Sequence, residues 1–462
     1  MVRFTRLLVS GLLGALLLGG AALPAGTAAA GTGPTPPTAA TTADYGAGWL
    51  ARLITAAGGH VPSDPTQPTT SAPDPSGTAD AVLALHAAGV GGAQAAAALG
   101  WLEANYAGYV TASAADVPGA LAKLIVVAHV SGVDPRAFGA PPTDLVARLL
   151  ATQRSSGPDA GLFGSQDPTY DGSYRQGLAL LALAAVGRSD AAAVRWLKGQ
   201  QCADGGWLGY RADTSVACPA PDPATFSGPD TNGTSLAFQG LLAVGAAPRV
   251  DPLAFFAGVQ GDDGGWAYVG SRTAPADPNS TALVIQALLA AGEDPAAARW
   301  TRAGATPYDA LLRFSLGCTA PAGDRGAFWY DVGDGTRKPN VLATVQAVPA
   351  AAGAFFPLAP SAPSSDVPTV PCAAPTPSPS PTPSPSPSAS PSPTASPSAT
   401  PAVSSSPTPA SSGVAGASLA PDELPDTGAP SYLPVLTAAG TLLLLVGAGL
   451  LLMTRRPGRR AR

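Results

Sequence analysis

The feature that most constrains this chain is an internal repeat: an aromatic residue, then two glycines nine and ten positions on, then another ring-bearing residue. Three copies share this spacing and run from Trp49 to His60, from Trp196 to Trp207 and from Phe255 to Trp266. A period of roughly 40–60 residues is typical of units that bury their apolar faces only by stacking on their neighbours. The repeat therefore predicts an array of similar units rather than one conventional core.

A second pattern, Asp followed four residues later by Thr, begins the other half of each unit. It occurs at Asp74, Asp230 and Asp277, loosely at Asp171, and Asp116 keeps only the Asp. Because Asp is a favoured helix N-cap, we expect a helix after each of them. Apolar runs of helical period follow, at 82–88, 121–130, 178–186, 236–244, 283–291 and 341–348.

These runs are apolar nearly all round, which indicates buried helices. The segments before them, such as 191–201 and 252–260, are more amphipathic and fit a second, outer set of helices. No stretch alternates with a period of two, so we expect no strands. The sequence therefore predicts an all-α fold of six helix pairs, and pairs joined by a constant turn can close into a double ring.

The four cysteines all lie in the part of the chain that we expect to be exported. An even count in an oxidising compartment favours two disulfides, and three pairings are possible. We favour Cys202 with Cys218, which closes a short loop, and Cys318 with Cys372, which ties the tail of the folded region to its last repeat.

The N-terminus has the features of an export signal. Arg3 and Arg6 precede an apolar run at 7–18, and small residues at 28–30 suit cleavage. The run is too short to cross a bilayer of about 30 Å. We therefore expect a signal peptide over 1–30, a flexible leader over 31–43 and the folded region over 44–372.

The C-terminal end is divided into four parts. Residues 373–423 are rich in Pro, Ser and Thr and predict a disordered, extended spacer. A short motif follows at 424–428, then an apolar stretch at 432–453 long enough to span a membrane, then a basic tail at 454–462 that the positive-inside rule places in the cytoplasm.

This order resembles the sorting signal of sortase substrates in Gram-positive bacteria. The resemblance implies that a sortase cuts between the last two motif residues and joins the chain to peptidoglycan at the cell-wall surface, with a plain single-pass membrane protein as the alternative. The motif residues are Leu424, Pro425, Asp426, Thr427 and Gly428.

The net charge of −5 is mild, and basic residues cluster only in the terminal tails. This gives little support to nucleic-acid binding.

The Trp196, Gln201 and Gly205-Gly206-Trp207 element resembles the repeats of squalene–hopene cyclases and protein prenyltransferases. Phe255, Gln260 and Gly264-Gly265-Trp266 repeat it. The resemblance covers most of 45–350 and implies an α6/α6 toroid. The Asp-x-x-x-Thr helix starts are similar to those of the cobalamin carriers, intrinsic factor and transcobalamin, which bind a corrinoid without chemistry.

The catalytic groups of the two enzyme families are incomplete in this sequence. The cyclases use an Asp-x-Asp-Asp cluster, and Asp262-Asp263 falls in the repeat turn instead. The prenyltransferases bind zinc through Asp, Cys and His, whereas His86 and His129 fall in apolar runs that contain no cysteine. We therefore predict no metal site and no enzymatic activity carried over from either family.

Polar residues at the starts of the apolar helices form the candidate ligand site. If these helix starts converge at one mouth of a ring, their side chains offer donors and acceptors to a ligand. Helix capping by the aspartates, and hydrogen bonds between helices for the glutamines, are the structural alternatives. The candidates are Asp171, Tyr174, Arg175, Asp230, Asn232, Asp277 and Asn279, with Gln239 and Gln286 deeper in the helices and Gln346 at a similar point.

Three functions remain open from the sequence. The first is a wall-anchored protein that binds a bulky small molecule, a corrinoid or an isoprenoid, without catalysis. The second is a cyclase- or transferase-like enzyme with Asp230 as its acid. The third is a structural or adhesive head carried on a stalk. An aromatic-lined cavity favours the second, and a dry, alanine-filled centre favours the third.

Overall fold

The computed structural model describes residues 35–164, 170–211, 213, 215–216, 218–225, 227–331 and 335–372. The predicted signal peptide, spacer, sortase motif, membrane helix and basic tail lie outside these residues. Within the described part of the chain, no helix combines the length and the hydropathy needed to cross a bilayer.

The described residues form twelve α-helices, which alternate between two sets. The six odd-numbered helices form the outer set, and the six even-numbered ones the inner set. The outer helices are α1 (Pro37–Ala56), α3 (Gly92–Tyr109), α5 (Leu145–Ala151), α7 (Ala191–Gly199), α9 (Pro252–Val259) and α11 (Pro307–Leu312). The inner helices are α2 (Pro75–Ala88), α4 (Pro118–Val130), α6 (Ser173–Ala185), α8 (Thr231–Ala243), α10 (Pro278–Ala290) and α12 (Val341–Ala351).

The predicted helical class and the predicted number of helices are confirmed. The expectation of no strands is wrong in one place, where β1 (Thr111–Ala112) pairs antiparallel with β2 (Ala115–Asp116). Two residues are too few to show a period of two in the sequence, so the pattern gives no signal. A 3-10 helix, Ala298–Trp300, lies between α10 and α11.

The inner helices contact one another in a closed circuit. In chain order each inner helix contacts the next, and α12 contacts α2. Each of α2, α4, α6, α8 and α10 also contacts the outer helix that follows it in the chain, and α12 contacts α1. Close approach requires glycine where α6 meets α8, since a Cβ on Gly177 would lie 2.3 Å from the Leu236 carbonyl oxygen and one on Gly240 would lie 2.5 Å from the Gly177 carbonyl oxygen.

Four of the six inner helices begin with a side-chain cap, at three of the five predicted aspartates and at Asn340, which the pattern did not include. Asp74, Asp230, Asp277 and Asn340 each accept a hydrogen bond from the backbone N–H three residues later. Such a cap satisfies one of the free N–H groups of the first turn and contributes about 1 kcal/mol.

The other two acidic positions depart from the prediction. Asp116 is not a cap, because α4 begins after Val117 and Asp116 instead forms an ion pair with Arg148 at 2.5 Å. Asp171 is also not the cap of α6, whose first turn is preceded by Gly172 without a side-chain cap. In each case a nearby guanidinium gives the carboxylate a stronger partner than a backbone amide does.

The repeated Gln and Trp residues fix outer helices α7 and α9 to the turns that follow them. Gln260 donates to the Gly264 and Trp300 carbonyl oxygens at 2.9 and 2.7 Å, and Trp266 Nε1 donates to the Phe256 carbonyl oxygen at 2.9 Å. Gly264 has φ +86°, the left-handed region that ordinary side chains avoid. Gln201 makes the corresponding bonds to Gly205 and Val250, so this element has the structural role that the sequence allowed.

A threonine in the first turn of the inner helix bonds to the preceding turn in four of the units. The Thr281 hydroxyl accepts the Trp266 backbone N–H at 3.0 Å, and Thr234 accepts that of Trp207 at 2.9 Å. Thr344 does the same for Phe328. The Asp-x-x-x-Thr pattern therefore combines a cap with a bond to the preceding turn.

The predicted flexible leader over 31–43 is wrong for 37–43, because α1 begins at Pro37. Ala39 and Ala43 are fully buried, and the Thr41 hydroxyl donates to the Pro37 carbonyl oxygen at 2.9 Å. Small residues without an apolar pattern pack here only because other parts of the chain cover them.

The predicted disulfides are confirmed. Cys202 pairs with Cys218, and Cys318 pairs with Cys372. The second bond fixes the end of residues 353–372, which we call the C-terminal strap.

The C-terminal strap crosses the C-terminal ends of two inner helices. Ser361 donates its N–H to the Val130 carbonyl oxygen at 3.1 Å, and its hydroxyl lies 3.0 Å from His86 Nδ1. Ser364 donates to the Gly89 carbonyl oxygen at 2.8 Å. The strap thus covers the ends of α2 and α4 before it reaches the disulfide.

A candidate ligand site among the inner helices

A cavity of about 60 Å³ lies among the inner helices, and all six contribute to its wall. The sixth residue of every inner helix lines it, which shows that the helices present the same register to one centre. These residues are Asp80, Lys123, Leu178, Leu236, Leu283 and Gln346. One helical turn further along, the lining continues with Leu83, Val126, Leu181 and Gln286, and it is completed by Tyr174, Val345 and Phe356.

An ion pair is the main polar feature of the cavity. Lys123 donates to Asp80 Oδ2 at 2.7 Å and to Ser76 Oγ at 2.9 Å, and the two charged side chains are 6% and 18% exposed. Burial lowers the pKa of Lys123, but the combined effect of Asp80, Tyr109 and Asp74 outweighs it, so this pKa lies above its usual value. Lys123 therefore stays charged and compensated.

Two amide side chains form the second polar feature. Gln286 donates from Nε2 to the backbone carbonyl oxygen of Gln346 at 3.3 Å. The side-chain oxygens of both glutamines are buried and accept no hydrogen bond. An unpaired buried polar atom costs about 1–3 kcal/mol, so both oxygens would gain from a hydrogen-bond donor on a ligand.

The strap closes the cavity at the C-terminal ends of the inner helices. Phe356 contributes to the lining, and its backbone N–H donates to Gln239 Oε1 at 3.4 Å. Gln239 itself does not line the cavity, and its Nε2 is buried without a partner. Of the predicted ligand residues, Tyr174, Gln286 and Gln346 line the cavity.

Asp171 and Arg175 form a buried ion pair rather than an open polar mouth. The Arg175 NH1 group lies 2.6 Å from Asp171 Oδ1, and both residues are 1% exposed. Arg154 approaches the other carboxylate oxygen at 3.3 Å. This network ties the start of α6 to the preceding turn.

Asp230 and Asp277 act as helix caps in a buried setting. Asp230 is 4% exposed, and its two oxygens accept the backbone N–H groups of Gly233 and Gly209. Burial raises the pKa of Asp230 to about 7, against the opposing effect of these N–H donors. Burial likewise raises the pKa of Asp277 to about 6.

The two predicted asparagines follow these caps but do not reach the cavity. Asn232 and Asn279 are 0% and 1% exposed. Both polar side-chain atoms of Asn279 lack a hydrogen-bond partner. The helix starts therefore do not assemble the predicted residues into one accessible set.

Sequence reasoning missed Asp80, Lys123 and Phe356. A signal for the first two was available, because each is a charged residue inside a helix that is otherwise apolar, at the same sixth position. A charge on a buried helix face is rarely tolerated without a partner. Phe356 had no comparable signal, since it follows the last helix.

Comparison with known proteins does not assign this chain to a family. No protein-family model matches the sequence, and a search of curated proteins finds no match.

Proposed function

We propose that this chain is an exported protein that a sortase joins to the cell wall at Leu424–Gly428, and that its helical region binds a small-molecule ligand without catalysis. In this proposal the closed circuit of inner helices is the inner layer of an α6/α6 toroid. The observation that carries the proposal is the shared cavity, to which every inner helix contributes its sixth residue.

The content of the cavity favours a binding protein over a purely structural head. A centre that served only to hold helices together would be most stable if it were apolar, since burying an ion pair is often neutral or costly. Asp80, Lys123, Gln286 and Gln346 instead bring charge and unpaired amide groups to it. This is a centre with wall-lining leucines and a few convergent polar groups, which is typical of ligand sites.

The size of the cavity limits how a ligand can bind. At about 10–15 Å³ for each water molecule, 60 Å³ holds about four or five waters. A whole corrinoid or isoprenoid does not fit, so only one arm of such a molecule enters and the rest lies outside.

The best candidate for a catalytic acid does not support the enzyme alternative. Asp230 does not line the cavity, and both of its oxygens are engaged by backbone N–H groups. These contacts describe a cap rather than an acid directed at a substrate.

Native mass spectrometry of the full chain, purified in detergent from its own host, tests ligand binding. We expect a bound small molecule, with a corrinoid absorbance spectrum or a colourless lipid-sized mass. Leu236→Trp, which fills the cavity, should abolish this mass. A ligand-free mass, together with no binding when corrinoids and isoprenoids are added to the wild type, would instead support the structural head.

Cell fractionation tests the anchoring part separately. We expect the wild-type chain in the wall fraction that a peptidoglycan hydrolase releases. Thr427→Ala should leave it in the membrane fraction, and an unchanged distribution would favour the single-pass membrane protein.

A further inference from the structure

We infer that the cavity receives a primary carboxamide on a short alkyl arm of the ligand. The inference rests on the proposed ligand-binding function and specifies the chemical class of the group that enters. It is built from three properties of the cavity wall: its charge, its unpaired acceptors and its apolar surface.

The charge of the wall selects a neutral group. Lys123 and Asp80 lie 2.7 Å apart and compensate each other within the cavity. A carboxylate or an ammonium group from the ligand would enter without a free counter-charge, and an unpaired buried charge is strongly unfavourable. The entering group is therefore uncharged.

The amides of the wall select a group with two hydrogen-bond donors. Gln286 and Gln346 lie on neighbouring helices, are joined by a 3.3 Å hydrogen bond, and each have an unpaired side-chain oxygen. Both glutamines line the cavity, and the terminal torsion of a glutamine is broad, which allows its oxygen to be directed toward the cavity. A primary carboxamide supplies two N–H donors from a single nitrogen atom.

A primary carboxamide also has a carbonyl oxygen, which accepts a hydrogen bond from a donor such as the Lys123 ammonium. The Lys123 ammonium has three protons, and two of them have acceptors in Ser76 and Asp80. The third is available to the carbonyl oxygen of a carboxamide. A hydroxyl group, by comparison, donates only one hydrogen bond and leaves one glutamine oxygen unpaired.

The remaining wall is apolar and sets the length of the arm. Leu181, Leu236 and Leu283 are nearly fully buried, and Phe356 covers the end of the cavity that faces the C-terminal strap. The volume of about four or five water molecules matches the five non-hydrogen atoms of a propionamide group. Of the two bulky ligand classes considered above, a hydrocarbon isoprenoid lacks these donors, whereas a corrinoid has primary carboxamide arms at its edge.

Titration of the full chain in detergent with propionamide and propionate tests the inference. The two probes have the same number of non-hydrogen atoms and differ in charge and donors. We expect saturation-transfer NMR to give a dissociation constant on the order of 1 mM for propionamide, a value reasonable for so small a ligand. Propionate should bind at least about tenfold more weakly, because its charge is not compensated.

Matched variants locate the site. Gln286→Leu should weaken propionamide binding at least about tenfold, whereas Gln94→Leu, a glutamine on outer helix α3 away from the cavity, should not change it. If Gln286→Leu fails to fold, the comparison of the two probes on the wild type still decides the question.

The outcomes separate this inference from the proposed function. Equal binding of both probes, or propionamide binding that Gln286→Leu leaves unchanged, overturns the carboxamide assignment alone. A native ligand that is displaced by neither probe also overturns it and leaves the binding function standing. No native ligand and no probe binding, with water as the only occupant, overturn both.

Discussion

The Cys318–Cys372 disulfide should contribute more to stability than the Cys202–Cys218 disulfide. The perturbation is replacement of both cysteines of one bridge by serine. The Cys318–Cys372 bridge spans 54 residues and encloses α12 and the strap, whereas the Cys202–Cys218 bridge spans 16. The entropy of loop closure in the unfolded chain gives about 4 kcal/mol for the longer loop and about 3 kcal/mol for the shorter one at 25 °C.

The position of the longer loop adds a structural reason for the same order. The contacts of α12 with α1, α2 and α10 close the circuit of inner helices, and the strap covers the ends of α2 and α4. Removing the Cys318–Cys372 bond therefore frees a segment on which other contacts depend. Removing Cys202–Cys218 frees a loop between α7 and α8.

Pulse proteolysis in urea, with the full chain held in detergent, measures the free energy of unfolding of each variant. We expect the Cys318→Ser/Cys372→Ser variant to lose about 1 kcal/mol more than the Cys202→Ser/Cys218→Ser variant. The reverse order, or a loss below about 1 kcal/mol for the longer loop, would refute the reasoning from loop closure.

Three further predictions concern single substitutions. Asp230 has a pKa of about 7 in the folded state and 3.8 as its reference value, so the folded state holds its proton more tightly. The free energy of unfolding should therefore fall as the pH rises from about 4 to about 7. Asp230→Asn should flatten this slope, and an unchanged slope in the variant would contradict the prediction. Gly48→Ala should detach the strap, because the new Cβ would lie 1.9 Å from the Pro368 carbonyl oxygen, and limited proteolysis should then cut the strap faster. Gly100→Ala, at an open helix position, is the control and should be neutral or stabilising by about 1 kcal/mol. Thr281→Val should cost about 1–3 kcal/mol because it leaves a buried backbone N–H without an acceptor, and a cost near zero would refute this role.

The fold was largely predictable because its signals are local. The apolar runs, the capping residues Asp74, Asp230 and Asp277, and the glycines of the repeat act within a few residues of chain. They predicted the inner helices, and the cysteine spacing predicted both disulfides. The local signals failed at 37–43, where burial by other segments imposes a helix.

The candidate site was predicted less well because it depends on which helix faces meet. The sequence drew attention to the helix starts, where Asp171 and Arg175 instead pair with each other in a buried network. The cavity lies one to two turns further in, at the sixth and ninth residues of the inner helices. Asp80 and Lys123 stand out in the sequence as charges in apolar helices, but their meeting in one cavity is recognisable only when the register of all six helices is known.

The sequence by itself determined the elements of this protein: paired helices, their caps, the turns that end them and the disulfides. The helices, caps and turns follow from hydrogen bonding and hydrophobic periodicity over short stretches of chain, and the disulfides follow from the even number of cysteines. Only the tertiary structure decided that Asp80 meets Lys123, that Gln286 meets Gln346, and that Phe356 closes the same cavity. Asp80 and Lys123 are 43 residues apart in the chain, Gln286 and Gln346 are 60 apart, and Phe356 is 117 residues from Gln239, to which its N–H donates. The pairing of these residues is set by the packing of whole helices rather than by any local preference.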